Sequence, residues 1–381
     1  MQALLSDDQK KRLQHVSVDL QGGADKIASQ LREAKVEADY VFYYSYMNPA
    51  STNAMDPSAS KQLYKLNVPL FDNFLQALPK ANIKPKRVLL QTGGKNYGIQ
   101  IGRASNPAIE TDPQPKHIQP AQFYYAQERL LFDFCEKHKE TSWNIVMPFA
   151  ILGAVNKTWL NAFYSFVCLH GSANAKGEPL EFGGDFEAWQ FAQTHSNARM
   201  SGYLSEWAVL SPHTANQRFN ATDGSPLSWE RFFPELVRWY DVKPGVTLPK
   251  LDSERSFPHV TEFAGGRDSP LGYGPPMSKK LEFTLADWAR KEENKQSWKE
   301  IMQASKGQVT FDPFESDEDI ANTFMGDFCY LSFGTIGQNK LRRFGSTGYV
   351  DSRESVFEMY QECAKLGMLP EMKVNEARPM I

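Results

Sequence analysis

Cysteine is scarce and poorly spaced for metal chemistry: Cys135, Cys168, Cys329 and Cys363 stand far apart, with no Cys-x-x-Cys pair. That spacing excludes a zinc ribbon or a disulfide-stapled scaffold and leaves four reduced thiols in a reducing compartment. The histidines, His15, His117, His138, His170, His195, His213 and His259, are scattered, and none forms the His-Glu-x-x-His pair of a zinc protease. No Ser-His-Asp or Cys-His grouping with a recognisable signature is present. A surplus of one charge is also lacking. Lysine and arginine total 42 against 45 aspartates and glutamates, a net charge of −3. That balance leaves no electrostatic footprint for nucleic acid or for an anionic membrane. No apolar run is long enough to span a bilayer. The opening stretch, MQALLSDDQKKRLQH, is too polar and acidic for a secretory signal or a transit peptide. The expectation is a cytoplasmic globular protein with neither nucleic-acid nor membrane partners. Its oligomeric state is unreadable, and a homodimer is compatible with all of these features.

What is present is an alternation. With 381 residues the chain can bury one large core or two moderate ones. His15-Val-Ser-Val-Asp-Leu20 reads as a strand, and a helix with Ile27, Leu31 and Ala34 on one face follows. A second strand spans Ala38 to Tyr44, and the spacing of Leu63, Leu66, Leu70, Phe74 and Leu78 predicts a helix from about Lys61 to Leu78. Arg87 to Gln91 is a third strand, Gln122 to Lys137 a helix and Trp143 to Met147 a fourth strand. Strands alternating with helices of this length imply βαβ units around a parallel sheet. Such a sheet binds ligands in the crevice beyond the carboxyl ends of its strands.

The second half differs. Ile101 to Pro120 is a Pro-rich loop of functional length, and Leu160 to Cys168 is apolar enough for helix core or pocket wall. Residues 244–276 are rich in Pro and Gly and without periodicity, which predicts an extended surface segment. Thr284-Leu-Ala-Asp287 looks like a capped helix start, Arg290 to Lys295 like a solvated helix face, and Ser352 to Leu366 like a closing helix.

Two stretches carry chemistry. In RVLLQTGGKNYG, residues 87–98, a strand stops at Thr92, Gly93 and Gly94, and Lys95 follows. In Gln122-Phe-Tyr-Tyr-Ala-Gln-Glu128, paired tyrosines open a helix. A phenol donates a hydrogen bond to a carbonyl oxygen on which charge is building, and a nearby ammonium lowers the phenol's pKa. An ammonium also hydrogen-bonds to a nucleotide's sugar hydroxyls. Each stretch alone has a plainer reading: Gly-Gly after a strand marks a turn with a solvated lysine, and aromatic pairs at a helix start pack.

Taken as a spaced set, these stretches resemble the progesterone 5β-reductase/iridoid synthase-like (PRISE-type) atypical short-chain dehydrogenases/reductases. That family carries L-Q-T-G-x-K-x-Y and later N-F-Y-Y, matched here by Leu90 to Tyr97 and by Gln122-Phe-Tyr-Tyr125. The resemblance continues in Val41-Phe-Tyr-Tyr-Ser-Tyr46, in Pro148-Phe-Ala-Ile-Leu-Gly153 and in Phe219-Asn-Ala-Thr-Asp-Gly-Ser-Pro-Leu-Ser-Trp229. It covers most of the chain, and its context is that of fungal, secondary-metabolism-like members. It implies an α/β Rossmann-type doubly wound parallel sheet over residues 1–155. A smaller, mostly helical substrate-capping region follows over 156–381, with a sheet-completing segment near 217–240.

The activity implied is reduction of an enone or carbonyl of a small apolar substrate by NADP(H). Tyr124 would hold the substrate oxygen, and Lys95 would orient the nicotinamide ribose and tune Tyr124. Asp19 and Leu20 would sit beside the adenine, and Thr92, Pro148 and Ile151 would join Lys95 around the cofactor. Tyr46, Tyr97, Phe123 and Trp159 would line the substrate pocket. Some positions depart from the family pattern: Tyr46 stands for a tryptophan, Gln122 for asparagine, Met147 for arginine and Ala150 for glycine. The family's opening strand and Gly-rich turn, which place the pyrophosphate on a helix N-terminus, have no match before Asp19. The expected sheet is therefore N-terminally incomplete. The competing reading is a non-catalytic relative that keeps the pocket and binds a ligand or partner without cofactor.

Overall fold

The run Arg87-Val-Leu-Leu-Gln91 is apolar without alternation, the pattern of a strand covered on both faces. In the computed structural model it is one of the two inner strands of a four-stranded sheet whose strands are all parallel. The structure describes residues 4–49, 57–118, 122–155 and 162–378. The strands are β1 (Tyr40–Tyr43), β2 (Arg87–Gln91), β3 (Ser142–Pro148) and β4 (Gln217–Ala221), in the spatial order of the chain. Register sets Tyr43 beside Leu90, Leu90 beside Ile145, and Val146 beside Phe219.

Helices cover both faces because the central strands β2 and β3 have apolar residues pointing both ways. On one face α1 (Ala24–Glu33), α2 (Ser60–Lys80) and α3 (Phe123–Lys137) pack Ile27, Phe71, Leu75 and Leu131 against Val41, Val88, Leu90 and Ile145. On the other, α5 (Ala198–Leu210) sets Leu204, Ala208 and Val209 against Leu89, Val146 and Phe219. Between them in sequence, α4 (Ala162–Lys176) leaves the sheet for a helical region with α6 (Trp229–Tyr240), α7 (Glu292–Ala304) and α8 (Ser352–Lys365). Phe163, Phe166, Trp229, Phe232, Trp239, Trp298 and Tyr360 are buried there in the largest apolar cluster of the molecule. This region is more than a thin cap, since it holds an aromatic core of its own.

Three expectations need correction. His15 to Asp19 is not a strand: it has no ladder, and Leu20–Gly22 is a 3-10 turn capped by Asp19, whose side chain accepts from the Gln21 amide at 3.0 Å. A strand needs a partner, and among the described residues none lies along the outer edge of β1. The sheet-completing segment ends at Ala221; Trp229–Tyr240 is helix α6, in the helical region. The segment 244–276 is not wholly irregular. His259–Phe263 (β5) pairs antiparallel with Met277–Leu281 (β6) as a surface hairpin. Most of β5 is exposed on both faces, so no apolar alternation announces it. The cap at Thr284 forms as expected, its hydroxyl accepting from the Asp287 amide at 3.0 Å. No helix among the described residues is long and apolar enough to cross a membrane.

Candidate active site

Where β2 and β3 end, the backbone parts and a crevice opens. The last rung between them runs from the Thr92 amide to the Val146 carbonyl, at 2.9 Å. Beyond it, residues 93 and 94 must pass close under the β3 loop. A Cβ built on Gly93 would stand 3.3 Å from the Pro148 carbonyl oxygen and 3.8 Å from the Tyr124 hydroxyl. On Gly94 it would fall 2.5 Å from the Phe149 ring and 2.8 Å from Ile99. The glycines are therefore there for close approach, and the 3-10 turn Gly94–Tyr97 that follows carries Lys95 to the mouth of the crevice.

The crevice is a cavity of about 420 Å³. Thr92 and Lys95 from the β2 end line it, with Pro148 and Ile151 from the β3 end. Tyr44 and Tyr46 from the loop after β1, Tyr124 from the first turn of α3, and Phe328 and Cys329 from the helical region complete most of the wall. The sheet edge and the helical region thus both build it. Among the described lining residues the ionisable groups are Tyr44, Tyr46, Lys95, Tyr124 and Cys329, with no carboxylate. A larger, more open cleft of about 1060 Å³, bordered by the β5–β6 hairpin, adjoins at Asn48 and contains neither Lys95 nor Tyr124.

Lys95 donates to the Tyr46 hydroxyl at 3.4 Å. Burial disfavours its charge and pulls its pKa down to about 8. Burial acts oppositely on the phenol of Tyr124, and the neighbouring phenol of Tyr46 adds to it, so Tyr124 lies above the ordinary tyrosine value. That direction is opposite to the lowering that a nearby ammonium alone predicts. Desolvation wins, and the phenol stays protonated at neutral pH: a hydrogen-bond donor rather than a base. Phe123 lies behind both tyrosines, its ring 4.4 Å from Tyr124 and 5.7 Å from Tyr46, and does not line the cavity.

The other residues singled out from the sequence lie elsewhere. The side chain of Tyr97 turns inward, and its buried hydroxyl donates to Asn220 Oδ1 at 2.7 Å, so it supports the turn and does not line the cavity. Asp19 pairs with Lys26 at 3.2 Å, and the Leu20 carbonyl accepts from Asn73 at 3.1 Å; neither borders the cavity. Trp159 lies outside the described residues. Conversely, the periodicity and the motifs did not single out Asn67. This buried side chain grips Met47 at both its amide (2.7 Å) and its carbonyl (2.9 Å) and so places the Tyr46 loop. An asparagine inside an apolar helix pattern is the only signal that could have shown it.

A nicotinamide cofactor can be tested against this cavity. The Thr92 hydroxyl is buried at its wall with no hydrogen-bond partner among the described residues, Lys95 lines the same cavity, and the glycine turn leaves room for close approach. These features fit the ribose and nicotinamide end. No glycine-rich turn at a helix start borders the cavity among the described residues, so they supply no counterpart for the pyrophosphate. Gly22 and Gly23 precede α1 away from it.

The sequence profile of PRISE-like Rossmann-fold domains matches residues 7–258. The chain belongs to the PRISE-like Rossmann-fold family. Over 372 residues it is 28% identical to the short chain dehydrogenase gsfE of Penicillium aethiopicum, covering 94% of this chain and 87% of that protein. Over 215 residues it is 26% identical to the 3-oxo-Delta(4,5)-steroid 5-beta-reductase of Arabidopsis thaliana, covering 54% of this chain and 52% of that one. Among solved structures, the terminal R domain of the myxalamid PKS-NRPS biosynthetic pathway aligns with a TM-score of 0.54 and 10% identity. The alignment covers 97% of this chain and 79% of that domain, a likeness of fold alone.

Membership of the PRISE-like family gives the turn and the β3 loop a stability test. Ala150 has φ 43°, in the left-handed region that favours glycine. Ala150→Gly is expected to gain about 1 kcal/mol in a denaturant melt, because the Cβ penalty disappears. Gly94→Ala is expected to lose about 1–3 kcal/mol, because Phe149 and Ile99 must yield to the new methyl.

Proposed function

We propose that this protein is an NADP(H)-dependent reductase of the short-chain dehydrogenase/reductase type, acting on an enone or carbonyl of a small apolar substrate. One observation carries the reading. Lys95, Tyr124 and the Thr92 hydroxyl, which has no hydrogen-bond partner among the described residues, line a single cavity at the carboxyl end of a parallel sheet, and none of its described lining residues is a carboxylate. The similarity to a short chain dehydrogenase and to a steroid 5-beta-reductase supports the same class. When bound, the nicotinamide supplies the hydride.

The chain's own residues do the rest. Tyr124, kept protonated by burial, donates a hydrogen bond to the substrate oxygen on which negative charge builds, in a site where little water competes. A carboxylate at this wall would repel that charge, and none of the described lining residues is one. Lys95 holds the ribose hydroxyls together with Thr92, and its positive charge stabilises the same developing anion. Tyr46 accepts a hydrogen bond from the ammonium and so restrains it. The apolar lining from Phe149, Phe328 and Phe333 selects for an apolar substrate and excludes water from the reacting carbon.

The test starts with cofactor. Titration of the 381-residue chain with NADPH and NADH, followed by cofactor fluorescence, is expected to show binding with preference for NADPH. No binding of either at about millimolar concentration favours the non-catalytic relative, since affinities of useful enzymes lie well below that. With cyclohexenone and cyclohexanone as probes, product analysis separates conjugated from direct reduction. Tyr124→Phe is expected to lose about 10²-fold or more in kcat while NADPH affinity stays within about threefold. Equal turnover in that variant removes Tyr124 from the mechanism.

The pH profile follows from Lys95. Its ammonium is the working form, and it is lost as pH rises through about 8. kcat/KM is therefore expected to fall on the alkaline side from about pH 8, well below the range of an exposed lysine. A profile flat to pH 10 would show that the charge on Lys95 is not used.

A further inference from the structure

The geometry points to Glu128 as a positioning residue: acting through Asn96 and with Tyr125, it holds the turn that carries Lys95 in register with the helix that carries Tyr124. This rests on the proposed pairing of Lys95 with Tyr124 and adds what sets their relative placement. Helix α3 presents Tyr124 to the cavity, while Tyr125 and, one turn on, Glu128 reach the 3-10 turn Gly94–Tyr97 instead. The Glu128 carboxylate is buried, and three side chains from three segments donate to it. Asn96 Nδ2 reaches Oε1 at 2.7 Å; Gln114 Nε2 and an Arg218 guanidinium nitrogen reach Oε2 at 2.8 and 3.0 Å. Tyr125 donates its hydroxyl to the Asn96 carbonyl at 2.9 Å.

One helix therefore grips Asn96 by both its side chain and its backbone. Asn96 directly follows Lys95, so it cannot move without moving the lysine. Tyr97, the next residue, is tied to β4 through Asn220. Asn220 is held in turn at its own amide by Glu110 Oε1 at 2.9 Å. Lys95 thus sits ahead of two successive anchored residues, with its side chain in the cavity.

The chemistry of the anchor explains why a carboxylate is used. Three donors converge on two oxygens, and a carboxylate offers acceptor sites on both. An amide offers one oxygen and turns two N–H groups toward donors that need acceptors. Arg218 supplies the positive charge that makes a buried carboxylate tolerable, and its own position on β4 ties the anchor to the far edge of the sheet. The paired tyrosines acquire separate jobs: Tyr124 faces the cavity, and Tyr125 fixes the turn across from it.

The test reads Lys95 without cofactor or substrate. Competitive acetylation across a pH series, quantified by peptide mass spectrometry with exposed Lys139 as reference, gives the titration midpoint of Lys95 in the full chain. The ionisable groups lining the cavity with it, Tyr44, Tyr46, Tyr124 and Cys329, are unchanged in both variants used. In Glu128→Gln and in Tyr125→Phe, loosening the turn admits water, and the midpoint is expected to rise from about 8 by roughly one unit toward the ordinary lysine value. With an active preparation, both variants are expected to lose about tenfold in kcat with KM within about twofold. If both variants are folded and the Lys95 midpoint stays put, the positioning role is overturned, and a lowered melting temperature alone would then mark Glu128 as structural. Should Glu128→Gln not fold, Tyr125→Phe, which removes one hydroxyl, carries the test. A protein that binds no NADPH overturns the reductase reading and leaves the labelling result standing; an unmoved Lys95 does the reverse.

Discussion

The rung from the Thr92 amide to the Val146 carbonyl is the interaction on which the site depends. It is the last hydrogen bond between β2 and β3, and parallel pairing makes both strands end at the same edge. The glycine turn and the Pro148–Phe149 loop are therefore neighbours by construction. The Phe149 ring then lies where a Gly94 side chain would be, so the two loops fit only if one of them has no Cβ. A slip of one residue in this ladder would turn Leu89 and Leu90 to the wrong faces and send Lys95 away from Tyr124.

Burial then decides the chemistry of the groups gathered there. The same desolvation pulls the ammonium of Lys95 down and pushes the phenol of Tyr124 up. Both shifts favour neutral forms, and they are what a wall of aromatic and aliphatic residues does to any ionisable group. Charge pairing would have split them differently, with the ammonium raised and the phenol lowered. A protonated phenol in one cavity with an ammonium suits a reaction in which negative charge appears on a substrate oxygen, and suits proton abstraction poorly.

Much of the sheet was legible in the sequence because β2 and β3 are central. Their residues are apolar on both faces, and the structure finds Arg87–Gln91 and Ser142–Pro148 where the pattern placed them. His15 to Leu20 shows the limit. Its alternation is that of a strand, but a strand is a relation between segments, and no segment among the described residues pairs with it. The β5–β6 hairpin is the converse case, a real ladder with too little buried surface to leave a pattern. Tyr97 was legible as part of a motif but not in its direction: in a 3-10 turn, two residues beyond Lys95, it points inward to Asn220.

By itself the sequence determined the alternation of strands and helices, the glycine turn before Lys95 and the tyrosine pair, because each is a local matter of period or residue type. Only the tertiary structure decided that Lys95 and Tyr124 share one cavity, that none of its described lining residues is a carboxylate, and that Glu128, Asn96 and Arg218 meet behind the turn. Those facts depend on which segments pack together. Arg218 and Glu128 are 90 positions apart in the chain and 3.0 Å apart in the fold. No local pattern records that distance, because it is set by the order and register of the strands.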